Sequence, residues 1–280
     1  MGRTDRSFAR LKTMQRAHAL AASWPDQPFP TSMGTVELHS YGQGVMMLID
    51  GYESSFIDLL EPTHLEFEYL QHIDAFLHSR LEPDQAFRAL HLGAAACSLP
   101  RAWAASYPRS SHVAVEVDAI LAQNVRQWFD LPSSPVLKIR VGEGGAVMSE
   151  LREASFDVIV RDAFIEGEIP PSLTTPEFYL HCERVLRPEG VFIANVASGL
   201  GLRSTLWRTK EMLASLKNTG LQHVLVLADS AVIRGKRIGN AVVGAARTEW
   251  DIAAVERLAR KFPLPVRVFQ PRDPELRMDL

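Results

Sequence analysis

Leu90-His91-Leu92-Gly93-Ala94-Ala95-Ala96-Cys97 decides the fold, together with Val115-Glu116-Val117-Asp118 further on. The first stretch leaves an apolar strand through a turn of small residues. Such a turn lets backbone come close to a ligand at the carboxyl edge of a sheet; taken alone, Gly93 fits a plain turn equally well. Glu116 closes a second strand and lies 23 positions after Gly93. A carboxylate has two acceptor oxygens and can take both hydroxyls of a ribose. Gly93 with Ala94, and Glu116 with Val117, therefore predict a nucleoside site without saying which nucleoside. A solvent-facing Glu116 is the plainer alternative.

Outward from this pair the chain alternates strand and helix. Strands are expected at 87–92, 112–117, 136–141, 156–161, 191–196, 224–227 and 240–245, with helices at 98–107, 119–129, 145–153, 175–187 and 203–219. Strand–helix alternation means a parallel sheet covered on both faces. Ala228–Gly239 is a short polar connection in which no helix is expected, so the last two strands are expected to pair antiparallel. A helix near 249–261 and a strand-like Val266–Phe269 follow. The third strand runs into Gly142-Glu143-Gly144-Gly145. Its carboxylate suits an adenine amino group or, equally, a helix cap. The fourth strand opens into Asp162-Ala163-Phe164 at the same edge. Leu186-Arg187-Pro188-Glu189-Gly190 leads into the fifth, and this approach resembles that of S-adenosylmethionine-dependent folds. The expected class is α/β: a Rossmann-like methyltransferase-type fold with a mostly parallel seven-stranded sheet.

Upstream, Val36–Ser40, Val45–Ile49 and Ser55–Leu59 alternate around Tyr41-Gly42-Gln43-Gly44 and Asp50-Gly51, a small antiparallel β-hairpin unit. Pro62 is expected to open a helix with Leu65, Tyr69, Ile73, Phe76 and Leu77 on one face. The divisions are a basic extension over 1–33, a β unit over 34–61 and a nucleoside-binding domain over 62–280. The extension has Arg3, Arg6, Arg10, Lys12 and Arg16 but no apolar block of signal-peptide length after them.

Composition excludes several classes. The 280 residues are 46% hydrophobic and 22% charged, which rules out disorder throughout. Thirty basic against 33 acidic residues, net −3, give nucleic-acid binding no support. Cys97 and Cys182 build neither a disulfide framework nor a zinc cluster, so a reducing cytoplasm and no metal are expected. No apolar run has membrane-helix length. Cys97 reads as a packing residue, and Trp103, Trp128 and Trp207 as core residues on helix faces.

Three further stretches carry a family resemblance: Leu48-Ile49-Asp50-Gly51-Tyr52-Glu53-Ser54, then Glu61-Pro62-Thr63-His64-Leu65-Glu66-Phe67-Glu68-Tyr69, then Asp162 through Pro170-Pro171-Ser172-Leu173-Thr174-Thr175-Pro176-Glu177-Phe178. Over residues 34 to 246 the chain resembles the spermidine synthase family of aminopropyltransferases. The resemblance implies transfer of an aminopropyl group from decarboxylated S-adenosylmethionine to an amine, with release of methylthioadenosine. It implies Asp162 as catalytic base, Glu68 and Glu166 as amine-binding candidates beside Glu53 and Glu168, and a homodimer or homotetramer. It places the nucleoside against Gly93, Ala94, Glu116, Val117, Gly142, Glu143, Gly144, Asp162 and Ala163. Departures are as informative. Ala96 stands where the family has a carboxylate for the aminopropyl ammonium, Ile165 at its second loop aspartate, Phe67 at its histidine, Glu66 at its tyrosine and Ser54 at its glutamine. Two alternatives remain open: a methyltransferase using intact S-adenosylmethionine, whose own carboxylate Ala96 would spare from repulsion, and a non-catalytic nucleoside-binding protein.

Overall fold

The computed structural model describes residues 14–82, 84–198 and 204–277. Residues 1–13 of the basic extension, with Arg3, Arg6, Arg10 and Lys12, thus lie outside the described residues. The first sheet is antiparallel and in sequence order: β1 (Phe29–Pro30), β2 (Thr35–Tyr41), β3 (Gly44–Ile49) and β4 (Tyr52–Asp58). Asp50 and Gly51 both have positive φ, 50° and 81°, which is the two-residue hairpin turn that this dipeptide favours. The sheet also takes in Phe29 and Pro30, opposite Val36 and Thr35. Proline is tolerated there because an edge strand has a side with no ladder bonds to donate.

The second sheet has eight strands, one more than expected. They are β5 (Arg88–Leu92), β6 (Ser111–Glu116), β7 (Leu137–Val141), β8 (Phe156–Arg161), β9 (Leu186–Ala197), β10 (His223–Ala228), β11 (Asn240–Ala246) and β12 (Arg267–Phe269). Their order is β12-β10-β11-β9-β8-β5-β6-β7. β5 through β9 are mutually parallel. β11 inserts antiparallel between β9 and β10, as the short connection requires. The extra strand is the strand-like segment before the C-terminus, which closes the open edge of β10.

The helices that flank the sheets include α1 (Glu68–His78), α2 (Ser98–Ser106), α3 (Ala119–Trp128), α4 (Gly144–Glu150), α5 (Pro176–Val185), α6 (Thr205–Leu216), α7 (Ser230–Ile233) and α8 (Ile252–Ala259). Two expectations fail here. Helix α1 starts at Glu68 and not at Pro62, because Asp58 accepts the amides of Leu60 and Glu61 and turns the chain before it can coil. The connection read as helix-free holds α7, one turn capped by Asp229 on the Ala231 amide.

Apolar clusters fill both faces of the large sheet. A third joins Val45, Met47 and Ile57 of the small sheet to Ala96, Cys97 and the inner face of α3. Trp103 and Trp128 are core residues, whereas Trp207 is 40% exposed, against expectation. Cys97 is buried, and burial pushes its thiol up to about 12. The order of the parallel strands reverses between β5 and β8, so the crevice for a ligand opens where Gly93 and Asp162 end their strands.

Candidate functional site

A cavity of about 800 Å³ occupies that crevice, roofed by the β3–β4 hairpin and floored by the ends of β5, β6, β8 and β9. Gly93 has φ +91°, and a Cβ there would overlap the backbone of Asp162. The turn is therefore seated directly on the neighbouring strand end, which only glycine permits. Glu116 ties the second strand to this turn. Its Oε2 accepts the amides of Ala94 (3.2 Å) and Ala95 (2.9 Å), and its Oε1 accepts that of Asp118 (3.0 Å). Glu116 lines the cavity, as do Val117, Gly142, Gly144 and Ala163. Asp118 caps α3 and accepts the amides of Ser32 and Met33. Burial raises its carboxyl, but these donors outweigh it and hold the group below its ordinary value.

Glu143 caps α4. One oxygen accepts the Gly145 amide (2.9 Å) and the Ser172 hydroxyl (2.7 Å), the other the Ala146 amide (2.8 Å). Burial opposes its ionisation, but the three donors prevail and lower its carboxyl. The carboxylate lines the cavity while serving as a cap. The helix cap expected from the sequence is thus present, at the edge of the cavity.

Asp162 sits one residue past β8, partly buried. Asn195 donates Nδ2–H to its Oδ1 at 3.0 Å, and Tyr69 from α1 donates its hydroxyl. Burial pushes the Asp162 carboxyl up; the bonds from Asn195 and Tyr69 and the Arg161 charge pull it part of the way back. Burial and the neighbouring Asp162 charge hold the Tyr69 phenol well above its ordinary value. Arg161 itself is 1% exposed and donates to the carbonyls of Leu173 (3.0 Å) and Asn195 (3.2 Å). It thereby pins the strand end, the loop after it and the Asn195 backbone together.

The amine-side candidates divide. Glu53 and Glu166 line the cavity, the latter in the tight turn where Ile165 and Glu168 exchange amide bonds at 2.9 Å. Glu68 is exposed in the first turn of α1 and does not line it. Glu168 faces a separate recess and pairs with Arg208. Ala96 is fully buried under the small sheet, its amide donating to Ser55 Oγ at 3.3 Å. Phe67 caps α1 and stacks on Tyr69. Ser54 and Ile165 line the cavity.

Tyr69, Asn195 and His91 line the cavity without having been assigned to the site from the sequence. Strand parity held the signal. His91 faces the same side as Gly93, and Asn195 the same side as Ile193 opposite Val160. Each is a polar residue at an inward position of an otherwise apolar strand.

Charge is the cavity's most distinctive property. Asp50, Glu53, Glu116, Asp118, Glu143, Asp162 and Glu166 line it, and no lysine or arginine does among the described residues. Among those residues no group of His, Cys, Asp and Glu is arranged to hold a metal ion, and no helix is long and apolar enough to cross a membrane.

No family model matches the chain. A curated polyamine aminopropyltransferase of Chromobacterium violaceum is 30% identical over 175 residues, 62% of this chain and 66% of that protein. The eEF1A lysine and N-terminal methyltransferase of Bos taurus is 30% identical over 137 residues, 45% of this chain and 19% of that protein. The chain thus spans less than two thirds of either curated relative. Among solved structures, a probable spermidine synthase from Corynebacterium glutamicum is 33% identical, with a TM-score of 0.81 over 88% of this chain and 91% of that one.

Proposed function

The chain belongs to the spermidine synthase-like family, and from that premise we propose that it is an aminopropyltransferase using decarboxylated S-adenosylmethionine and an amine. The anionic cavity, which no lysine or arginine lines among the described residues, carries this reading. Donor and acceptor are both cations, and carboxylates on every wall offset the repulsion between them. A nucleoside that keeps its own carboxylate would meet those walls unfavourably.

The amine arrives as an ammonium, with an ordinary pKa of about 10.4, and must lose a proton before its nitrogen can attack. Asp162 takes that proton. Burial raises its basicity, while Tyr69 and Asn195 hold the carboxylate in one orientation. The nitrogen then bonds to the aminopropyl carbon as that carbon's bond to sulfur breaks. The electron pair goes to sulfur, and methylthioadenosine leaves neutral. Glu116 suits the ribose hydroxyls and the Gly93 turn the close approach of the nucleoside.

A thermal-shift panel tests the donor. Methylthioadenosine and decarboxylated S-adenosylmethionine are expected to raise the melting temperature, and S-adenosylhomocysteine and NAD to leave it unchanged. Stabilisation by S-adenosylhomocysteine instead would replace this reading with methyl transfer. Asp162→Asn tests the base. Turnover is expected to fall by about 10²–10⁴-fold, with the nucleoside shift retained. Unchanged turnover would remove Asp162 from the chemistry.

A further inference from the structure

A chain of hydrogen bonds runs beneath the cavity floor and ends in a residue that lines it. Ser110 Oγ lies 2.7 Å from the Tyr107 carbonyl oxygen and 2.8 Å from His112 Nε2. His112 Nδ1 lies 3.1 Å from His91 Nε2. A carbonyl has no proton to give, so the Ser110 hydroxyl donates to it. The Ser110 oxygen must then accept, and His112 donates Nε2–H to it. That leaves a bare lone pair on His112 Nδ1, to which His91 donates Nε2–H. One carbonyl oxygen therefore sets both tautomers, and His91 Nδ1 is left as a lone pair to which no protein donor is directed among the described residues.

Both rings are 1–2% exposed. Burial keeps them neutral, pulling His112 down to about 4 and His91 well below its ordinary value. His91 pairs across the sheet with Val160, on the face that carries Asp162 two residues later. Leu70, Leu99 and Val160 share the lining around it. Around the proposed base, where Tyr69 and Asn195 also line the cavity, His91 is a neutral acceptor with its direction fixed from behind.

We propose that His91 Nδ1 accepts a hydrogen bond from an N–H group of the amine substrate and so helps to position it in the cavity. This rests on the reading of the cavity as an amine site. A neutral imidazole stabilises an N–H contact without adding an eighth negative charge, in a site that has no carboxylate at Ala96 or Ile165. The remote partners His112 and Ser110 are positioning residues that act through the His91 tautomer.

Imidazole ¹⁵N NMR on the full wild-type chain reads this directly. Both His91 and His112 are expected as Nε2–H tautomers in the free protein. With methylthioadenosine present, putrescine or n-butylamine should move the His91 Nδ1 signal upfield, as a lone pair does on accepting a hydrogen bond. A proton on His91 Nδ1 overturns the proposal. So does a putrescine-dependent thermal shift with the His91 signal unmoved, which would leave the aminopropyltransferase reading intact. If neither amine binds, that reading falls and this proposal with it.

Variants supply a second measurement. His91→Leu is expected to raise the amine KM about tenfold, the loss of one hydrogen bond, with methylthioadenosine affinity unchanged. His91→Asn, whose Oδ1 falls near the position of Nδ1, should restore most of it. Equal losses of amine and nucleoside binding in both variants would make His91 a packing residue only.

Discussion

Asp162 is the residue whose titration the rate should follow. As the proposed base it can take a proton only when ionised, and burial sets its carboxyl above the ordinary carboxylate value. Activity should therefore fall as pH drops through that raised value, not through the usual one of about 3.9. Asn195 and Tyr69 both favour the charged form. Asn195→Ala and Tyr69→Phe are each expected to shift the acid limb of kcat/KM to higher pH; a limb that stays in place would assign it to another group. The stability sign is opposite to that of a salt-bridged carboxylate. The folded state binds the Asp162 proton more tightly than the unfolded chain, so this group costs stability at neutral pH; the cost shrinks as pH falls from the raised folded value toward the ordinary one and is gone below it. At this scale the sequence was legible where a residue ends a strand: Gly93, Glu116, Glu143 and Asp162 all stand at the cavity. It was opaque where a role depends on pairing. Asn195 matters because β9 lies beside β8, and His91 because β6 brings His112 against it. No spacing along the chain encodes either adjacency.

Elements explain why Glu68 and Tyr69 exchanged importance. A helix begun at Pro62 and one begun at Glu68 need different local signals, and the deciding one was the Asp58 turn upstream. With α1 starting at Glu68, Tyr69 turns toward the sheet and Glu68 toward solvent. α7 was hard to read because a four-residue element carries too little period to see, whereas β12 falls within the strand-like 266–269 expected from the sequence. The docking of the small sheet on the Gly93–Cys97 turn has a further consequence. Ala96 is small because Val45, Met47 and Ile57 pack in the same cluster, and it does not line the cavity. Restoring the family's carboxylate there should fail. Ala96→Asp would bury an unpaired charge and is expected to cost about 3–5 kcal/mol in urea unfolding, with no gain in donor affinity. A folded variant that binds decarboxylated S-adenosylmethionine more tightly would show that the small sheet can move off the turn.

The whole molecule concentrates its negative charge. Its 33 acidic residues exceed the 30 basic ones by only three, yet among the described residues seven carboxylates and no lysine or arginine line one cavity. The excess is local, so its field is too. Carboxylates capped by amides, such as Asp118 and Glu143, keep their charge at neutral pH because their donors favour ionisation. A cationic amine would feel their sum before it touches any of them. Salt weakens that sum with a screening length of about 10 Å at 0.1 M and about 3 Å at 1 M, shorter than the reach across a cavity of this size. The amine KM is therefore expected to rise several-fold between 0.05 and 0.5 M sodium chloride, while kcat at saturating amine holds steady because Asp162 is in contact and poorly screened. A diamine should show the steeper dependence, a monoamine the shallower, in steady-state assays at fixed donor. If KM is flat for both amines, the charge of the cavity serves the nucleoside and the fold, and selection of the amine rests on contacts such as His91 alone.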